Sequence, residues 1–548
     1  MREEVKRVKD YILPVRTVAE HGAENTACLF KNFQDQIYIS NNDSCILRAG
    51  GYIILDYGRE MHGGVRVLTE TGATDGSVGI RIRFGESVGE ACAELGECGA
   101  TNDHSPRDMK VCLPRLSDLE FGQTGFRFVR IDNISDSDYK FTAIVAAFLH
   151  LDEKFKGRFI CNDEKVNEIY NVAAYTLFLN MQNRLWDGIK RDRLVWVGDM
   201  HPEVKGILNL FGAHTLIETA LKESAEHNPV PMWMTGLPSY SVWWIAVLCD
   251  YEWYTARSEF ARSCFPYLYD VIDLLDKSVT DDGKVEFYSE TPLYDQYFLN
   301  WETCGEEGRE SGVRGLTLWA LKKCYSMLSR LGGNTEKVLN IISRLQKRVL
   351  FCGESKAVAS LYALGYKPEA KAEKLLTDGG AKGFSTFISS YIANALADMG
   401  RGGQALSDMK EFYDGMLSRG ATTFWESFEP DWLINSGRIN ALPEKGQKDI
   451  HCTFGKYCYN GYRLSLCHGW SCGPVPFLSE RVLGVKFTSA GGKTVRFEPD
   501  LLGLERAEGA VPTAYGLIEV SHKRVGKKVV TDYSLPDGVT AEKPEKGR

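Results

Sequence analysis

The sequence lacks the features of membrane-spanning, secreted and nucleic-acid-binding proteins. It has no uncharged apolar run of about 18 residues, which a bilayer-spanning helix would need. Its N-terminus carries charges where a signal peptide needs an apolar core, so we expect a cytoplasmic protein. The formal net charge is −8 and no long basic run occurs, which excludes a broad nucleic-acid or anionic-membrane surface.

Regularly spaced cysteine pairs are also missing. The fifteen cysteines are an odd number without a C-x-x-C pair, which favours reduced thiols over a disulfide framework. The most closely spaced set has intervals of six, nine and five residues and comprises Cys452, Cys458, Cys467 and Cys472, beside His451 and His468. These intervals fit no standard structural zinc site, so we expect buried, inert thiols and no metal.

The 548 residues exceed one ordinary core, and their first part has the pattern of β-structure. Apolar and polar residues alternate over 78–84, and 125–132 and 142–149 also resemble strands. Glycines at 50–51, 63–64 and 72 are interpreted as turns between strands. We predict an N-terminal β-sandwich over residues 1–154. The acidic segment 85–104 within it is expected to be a solvated loop, or else to reach over a neighbouring domain.

The central part of the chain has a helical period. From Asn162, the expected N-cap, apolar residues recur every three or four positions. Similar stripes predict further helices near 204–225, 239–255, 258–276, 311–331, 335–350, 354–364, 384–399, 403–417 and 451–466. Without strands between them, paired helices wound into an (α/α)₆ barrel over 155–483 are the simplest closed arrangement. Short strand patterns after Gly484 predict a small antiparallel β-domain over 484–548.

The stretch 186–203 mixes groups that seldom occur together. Its eighteen residues include three aspartates, two arginines and two tryptophans, namely Asp187, Asp192, Asp199, Arg191, Arg193, Trp186 and Trp196. Unpaired charge is costly to bury and a solvated loop has no use for two indoles, whereas a sugar needs both polar groups and flat apolar faces. We interpret this stretch as half of a glycosidase active site. Arginine beside Asp192 favours its ionised form, so a proton donor there would be helped if Arg191 paired with Asp187 or Asp199.

Hydrolysis of a glycosidic bond needs a second carboxyl group. The stretch 420–432 offers Glu426, which follows Trp425 in an aromatic setting, with Glu429 and Asp431 as competitors. A third element, 467–474, contains His468, which is either a packed histidine or a sugar ligand. Trp301 is expected at the rim of the sugar site, whereas Trp243 and Trp244 lie in an apolar pattern that fits a core equally well.

These elements carry a resemblance to a known family. D187-G-I-K-R-D-R-L-V-W-V-G-D199 resembles the signature of the bacterial α-L-rhamnosidases, glycoside hydrolase family 78. G420-A-T-T-F-W-E426 and H468-G-W-S are similar to two further segments of that family, in the same order. The resemblance covers most of residues 50–525 and implies the order β-sandwich, (α/α)₆ barrel and C-terminal β-domain.

The resemblance also implies roles. Glu426 matches a general base that activates water, and Asp192 falls where the family places its general acid. The positions that match sugar-contacting residues are Asp187, Arg191, Trp196, Asp199 and His468, to which we add Trp301 and Trp425 from their aromatic settings. The reaction implied is inverting release of L-rhamnose from small-molecule or oligosaccharide rhamnosides, without a cofactor.

Two other hypotheses stay open at this point. One keeps the barrel but changes the chemistry, to another exo-glycosidase or to a phosphorylase that uses phosphate in place of water. The other is a catalytically inactive carbohydrate-binding protein. No nucleic-acid or membrane partner is expected, and an oligomer is possible.

Overall fold

The computed structural model describes residues 5–31, 33, 35–37, 43–73, 75–290, 293, 295–347, 350–457 and 459–542. Over these residues the chain forms an N-terminal sheet domain, a central helical region and a small C-terminal sheet domain, in the predicted order. Among the described residues, no helix is long and apolar enough to span a bilayer.

The N-terminal domain is built on one sheet of seven antiparallel strands, β1 (Arg7–Ile12), β2 (Arg16–Glu24), β3 (Cys45–Thr71), β4 (Ile80–Gly85), β5 (Asp108–Val111), β6 (Asp118–Asn133) and β7 (Tyr139–Leu151). Their order is β1-β7-β3-β6-β4-β5, and β2 pairs with β3. The alternation seen in the sequence places Ile80, Ile82 and Phe84 in a core that they share with Phe126. The three strand patterns recognised in the sequence correspond to β4, β6 and β7.

The glycine pairs predicted to form turns lie instead inside the long strand β3. A Cβ atom on Gly63 would lie 2.0 Å from the carbonyl oxygen of Ala147, and one on Gly64 would lie 2.2 Å from that of Phe121. Only glycine fits where neighbouring strands approach this closely. Gly63 and Gly64 therefore mark close strand packing, and the prediction of a turn there was wrong, whereas Gly50 has a left-handed φ of 71° and open space at its Cβ position.

The acidic segment 85–104 is not a solvated loop at its start. Ser87 caps the short helix α1 (Val88–Cys92), and both Glu86 and Glu90 are buried. The backbone N–H of Leu466 donates to Glu86, and the Ser87 hydroxyl lies 2.8 Å from Nδ1 of His451. The segment therefore packs across the helical region, which was the second expectation from the sequence.

The central region is built from the helices α2 (Glu164–Asn180), α3 (Met200–Leu210), α4 (Thr215–His227), α5 (Pro238–Thr255), α6 (Ser258–Ser263), α7 (Phe265–Ser278), α8 (Arg309–Leu331), α9 (Glu336–Leu345), α10 (Lys356–Gly365), α11 (Ala370–Thr377), α12 (Ser389–Asp398), α13 (Gly402–Ser418), α14 (Ile450–Thr453) and α15 (Pro474–Phe477). Helix α5 packs against α8, which packs in turn against α10. Trp243 and Trp244 on α5 are fully buried, so the core interpretation of this pair is confirmed.

Three helix predictions differ from the structure in more than their bounds, and the first is the pattern over 258–276, which is divided between α6 and α7 at Cys264. The pattern over 204–225 is divided between α3 and α4 at Gly212, which has a left-handed φ of 80°. The predicted helix over 451–466 was wrong: after α14 the chain is irregular apart from a 3₁₀ turn at Gly461–Arg463. Gly455 and Gly461 there have φ values of 118° and 57°, which an α-helix does not allow.

The strand β8 (Arg158–Cys161) precedes the helical region but pairs with the C-terminal domain. The other strands there are β9 (Val485–Phe487), β10 (Thr494–Phe497), β11 (Arg506–Thr513), β12 (Gly516–Val525), β13 (Lys528–Ser534) and β14 (Thr540–Ala541). They form two sheets, β14-β10-β9 and β13-β12-β11-β8. The pairing is antiparallel except between β10 and β14, which are parallel.

The start of α2 shows why the expected N-cap was misplaced by one residue. Asp163 caps the helix, because its carboxylate accepts the N–H groups of Lys165 and Val166. Asn162 instead accepts the N–H groups of Glu505 and Arg506 from the C-terminal domain. Both residue types are good caps, and tertiary contacts decide between them.

Candidate active site

A cavity of about 440 Å³ lies where the predicted site segments meet, and its volume is within the range usual for ligand sites. Eight of the nine predicted site residues line it: Asp187, Arg191, Asp192, Trp196, Asp199, Trp301, Glu426 and His468. Trp425 is the exception. Residues from 187 to 468 therefore converge on one cavity, although they are widely separated in the sequence.

The loop that follows α2 is closed on itself by Asp187. The N–H of Asp187 donates to the carbonyl of Leu194 at 3.0 Å, and the N–H of Leu194 donates to the Asp187 carboxyl at 2.9 Å. Between them, Asp192 and Arg193 both adopt left-handed backbone conformations, with φ of 55° and 53°. Non-glycine residues rarely adopt this conformation, and it is held here by the surrounding contacts.

Arg191 joins the two predicted catalytic carboxyl groups. Its Nη1 lies 3.0 Å from Oδ1 of Asp192 and its Nη2 lies 2.6 Å from Oε1 of Glu426. Its Nε donates to the carbonyl of Arg463 at 2.9 Å, and its guanidinium packs over the ring of Tyr459. Arg191 therefore pairs with Asp192 and Glu426, and not with Asp187 or Asp199, as a proton donor at Asp192 would favour.

Glu426 is held on both carboxyl oxygens. Oε1 contacts Arg191, and Oε2 accepts the N–H of Ser465 at 3.0 Å. The backbone N–H of Glu426 donates in return to the carbonyl of Ser465 at 2.9 Å. Burial raises the pKa of Glu426, whereas the charge of Arg191 and the Ser465 N–H oppose that rise. The surroundings therefore fix the orientation of this carboxyl group and supply partners for its ionised form.

His468 faces three carboxyl groups from a buried position. Its Nε2 lies 3.5 Å from Glu426 and 3.9 Å from each of Asp187 and Asp199. Burial and the nearby charge of Arg191 lower the pKa of His468 well below its usual value. The imidazole is therefore neutral, with one N–H that can act as a donor in the cavity.

Asp187 and Asp199 are buried carboxyl groups with a different electrostatic setting. Burial raises the pKa of each well above the usual range, and the neighbouring carboxylates raise it further. The hydroxyl of Tyr240 hydrogen-bonds with Asp199. Glu203 lies behind them, and burial together with Asp199 and Asp187 also raises its pKa well above the usual range. The cavity thus contains carboxyl groups that favour the protonated form.

Aromatic rings cover the apolar part of the cavity. Trp196 and Trp301 line it, as predicted. Four further aromatic residues line it that were not predicted as site residues, namely Tyr240, Phe298, Tyr459 and Trp470. Tyr240, Phe298 and Trp301 pack edge to face in succession, at 6.0 and 5.3 Å between ring centroids. Trp470 lies in the third predicted element close to His468, and this position in the sequence is what could have indicated its site role.

Two parts of the chain match models of known families. Residues 154–270 match the bacterial alpha-L-rhamnosidase 6 hairpin glycosidase domain, and residues 484–543 match the bacterial alpha-L-rhamnosidase C-terminal domain. These two parts of the chain are thus similar to domains of bacterial α-L-rhamnosidases. No curated protein sequence matches it.

Solved rhamnosidases have the same fold. A family 78 rhamnosidase of Bacillus sp. GL1 has a TM-score of 0.68 at 19% identity, over 94% of this chain and 56% of that protein. A Klebsiella oxytoca rhamnosidase with rhamnose bound has a TM-score of 0.65 at 18% identity, over 87% and 96%. The α-L-rhamnosidase of Streptomyces avermitilis, complexed with L-rhamnose, has a TM-score of 0.72 at 15% identity, over 98% and 50%. The chain thus spans about half of two relatives and nearly all of the third.

The ninth predicted site residue, Trp425, lies outside the cavity. Its ring is 1% exposed and packs edge to face on Phe428, while its neighbour Glu426 faces the cavity. The competing acids also lie elsewhere, since Glu429 pairs with Lys456 at 2.6 Å and Asp431 pairs with a surface lysine. The position of Trp425 fits a packing role.

Within the described residues, one group of side chains is close enough to hold a metal ion, namely Glu86, Glu90 and His451. The ammonium group of Lys190 already lies 2.9 Å from Glu86 and 3.3 Å from Glu90. A lysine thus occupies the place of a cation there. Of the four closely spaced cysteines, Cys467 and Cys472 are buried as expected, Cys452 is only half-buried, and Cys458 lies outside the described residues.

Proposed function

We propose that this protein is an inverting exo-glycosidase that releases L-rhamnose from α-L-rhamnosides. The observation that carries the proposal is the Arg191 guanidinium, which contacts the carboxyl groups of both Asp192 and Glu426 at the wall of an aromatic-lined cavity. Glycoside hydrolysis needs two carboxyl groups that flank the anomeric carbon. One arginine here holds such a pair in a fixed relation.

In the proposed reaction Asp192, in its protonated form, donates its proton to the glycosidic oxygen as the bond to the anomeric carbon breaks. Glu426 accepts a proton from the water whose oxygen forms the new bond on the opposite face. Because both carboxyl groups contact one planar guanidinium, their contacting oxygens lie no more than roughly 8 Å apart. This limit admits the separation of about 6.5 to 9.5 Å of inverting glycosidases, which leaves room for a water molecule, and also the separation of about 5 to 5.5 Å of retaining enzymes, so the stereochemistry of the first product decides between them.

The second set of groups is suited to holding the sugar. Protonated Asp187 and Asp199 can each both donate and accept a hydrogen bond, as sugar hydroxyl groups require. Neutral His468 adds a donor beside them, and the rings of Trp196 and Trp301 offer apolar faces for the C–H side of the ring. A deoxysugar with one methyl group presents both kinds of surface.

The test uses the purified full chain and 4-nitrophenyl α-L-rhamnoside. Glu426→Gln should reduce release of rhamnose from this substrate strongly, and Asp192→Asn should reduce release strongly from an alkyl α-L-rhamnoside, whose leaving group needs a proton, while both proteins stay folded by circular dichroism. Proton NMR at early times should show β-L-rhamnose as the first product. Glu429→Gln is the matched control, since this glutamate lies outside the cavity. Turnover of Glu426→Gln at the wild-type rate, or α-L-rhamnose as first product, would contradict the proposal.

Phosphate in place of water is less compatible with the charges of the cavity. Arg191 is the one Arg or Lys side chain that lines the described cavity, and it already contacts two carboxyl groups. A phosphate dianion would lie beside four carboxyl groups and be repelled by those that are ionised. Product formation that depends on added phosphate would favour the phosphorylase hypothesis instead.

We also infer the finer architecture that this function requires. The helical region is proposed to close into an (α/α)₆ barrel over 155–483, with a β-sandwich over 1–154 before it and the C-terminal β-domain over 484–548 after it. The six-hairpin description of the family matched at 154–270 supports the barrel. An experimental structure with L-rhamnose bound would test both the closure of the barrel and the sugar contacts.

A further inference from the structure

A loop of the N-terminal domain runs beside the segment that carries Asp192. The Ser105 hydroxyl donates to the carbonyl of Lys190 at 3.1 Å. The carbonyl of His104 accepts a hydrogen bond from the guanidinium of Arg193. Neighbouring residues of one segment therefore contact both ends of the sequence 190–193 in the other.

The side chain of His104 reaches Asp192 itself. Its Nε2 lies 3.4 Å from Oδ1 of Asp192, the same oxygen that Nη1 of Arg191 contacts at 3.0 Å. The side chain of His104 is 32% exposed and that of Asp192 is 20% exposed, whereas that of Arg191 is 7% exposed. The proposed general acid thus has one buried cationic partner and one partner that reaches solvent.

Contacts on both sides fix the loop that carries His104. Asp103 pairs with Arg463 at 2.5 Å, and the carbonyl of Arg463 accepts the Nε–H of Arg191. Ser105 also donates to the hydroxyl of Thr124 at 2.9 Å. His104 is therefore fixed relative to the arginine that holds Asp192 and Glu426.

Three non-glycine residues with left-handed backbones meet at this place. His104 has a φ of 66°, and Asp192 and Arg193 have φ of 55° and 53°. Such conformations persist where the surroundings hold them, and they concentrate at functional sites. Arg193 supplies part of that support, because its guanidinium donates to the carbonyls of both His104 and Gln123.

We propose that His104 is a positioning residue for Asp192, supplied by the N-terminal domain. The proposal rests on the proposed function, in which Asp192 protonates the leaving-group oxygen. His104 holds the Asp192 carboxyl in the orientation for that proton transfer, so its contribution is confined to the step in which the leaving group needs a proton. The N-terminal domain is thereby a part of leaving-group chemistry.

The leaving group provides a readout that a purely structural role would not change. A good leaving group such as 4-nitrophenolate departs without a proton, whereas an alkoxide needs one. His104→Ala should reduce kcat/KM by about tenfold or more for an alkyl α-L-rhamnoside, and by less than about twofold for the 4-nitrophenyl compound. His104→Gln should fall between wild type and His104→Ala, because its amide can still hydrogen-bond with Asp192.

The matched control is His150→Gln. His150 belongs to the same domain and pairs with an aspartate, Asp10, at 3.0 Å, but lies outside the cavity lining. It should leave kcat/KM unchanged for both substrates. The loss should also disappear when the acid is absent: in an Asp192→Asn background, His104→Ala should cause no further decrease for the alkyl substrate.

The possible outcomes distinguish a failure of the role of His104 from a failure of the proposed function. An equal loss by His104→Ala for both leaving groups, or a further loss in the Asp192→Asn background, overturns the role of His104. If Asp192→Asn is itself insensitive to the leaving group, the assignment of the acid fails. A wild-type protein that releases no rhamnose overturns both proposals. If His104→Ala is unfolded, His104→Gln carries the same comparison.

Discussion

The carboxyl groups of the cavity form two sets with opposite surroundings. Asp192 and Glu426 share the charge of Arg191, at 3.0 and 2.6 Å. Asp187 and Asp199 face neutral His468, and among the described residues neither pairs with a lysine or an arginine. Burial raises the pKa of both well above the usual range. One cation thus contacts the first set, whereas the second set has no such partner among the described residues and favours the protonated form.

This difference separates two tasks that the same side chains can perform. A group that accepts a proton from water must be ionised before the reaction, and Arg191 favours that form of Glu426. A group that binds hydroxyls benefits from being a neutral donor and acceptor. The contact with Arg191 therefore suits Glu426 to proton transfer in the proposed reaction, whereas Asp187 and Asp199 are suited to hydroxyl binding.

The largest expected effect comes from a comparison of two buried glutamates. Glu426→Gln removes the proposed base and should reduce kcat by about 10³-fold or more. Glu203→Gln replaces a carboxyl group whose raised pKa already keeps it neutral, so kcat should stay within about threefold of wild type. Initial rates with 4-nitrophenyl α-L-rhamnoside measure both. Equal losses of kcat in the two variants would contradict the inference that Glu426 reacts in its ionised form while Glu203 is protonated.

Arg191→Lys tests the cation that divides the two sets. A lysine cannot contact two carboxyl groups with a planar fork, so kcat should fall by about 10²-fold. The charge of Arg191 lowers the pKa of Glu426, so a substitution that weakens the contact between this cation and Glu426 should raise that pKa. The base is active when ionised, so the acidic limb of the kcat/KM profile should move to higher pH. If the acidic limb of the kcat/KM profile stays at the wild-type pH, the charge of Arg191 does not control the ionisation of Glu426.

A smaller effect is expected for the hydroxyl-binding set. Asp199→Asn replaces a protonated carboxyl group with a neutral amide of the same shape, so kcat/KM should fall by about tenfold, mainly through KM. Steady-state kinetics with a range of substrate concentrations separate kcat from KM. A loss confined to kcat that grows with the pKa of the leaving group would instead identify Asp199 as the general acid.

The smallest effect concerns stability. The folded-state pKa of Asp199 is raised by burial, so between the ordinary carboxyl value and that raised pKa the folded protein binds more protons than the unfolded chain. Its contribution to stability therefore falls as pH rises through this window. Asp199→Asn should make the melting temperature less dependent on pH above about 4. Parallel wild-type and variant profiles from differential scanning calorimetry would argue against a protonated Asp199.

Residues that lie within one local pattern were predictable from the sequence. The helical period identified α2, α5, α8 and α13, and the mixture of acids, arginine and tryptophan identified the loop that begins at Asp187. Local patterns do not report which side of a segment faces a cavity. Trp425 and Glu426 are adjacent, yet one packs into the core and the other faces the proposed substrate.

Contacts between distant segments account for the remaining differences. His104 lies in a segment that is acidic and rich in glycine, and nothing in that pattern indicates a contact with Asp192. The segment 451–466 has a helical stripe, but Gly455 and Gly461 bend it so that its end supplies Tyr459 to the cavity and Ser465 to Glu426. The sequence does not show which glycines adopt a positive φ, and only the folded structure reveals it.

The strand β8 has a consequence for biosynthesis. Residues 158–161 leave the ribosome well before their partner strand β11, which begins at Arg506. At about 5 to 20 residues per second, the chain between them takes on the order of tens of seconds to make. During that interval the backbone N–H and C=O groups along one edge of β8 lack their partners on β11. Completion of the sheet that contains β8 is thus tied to the synthesis of β11, and a premature stop before residue 506 should yield a product that chaperones or proteases remove.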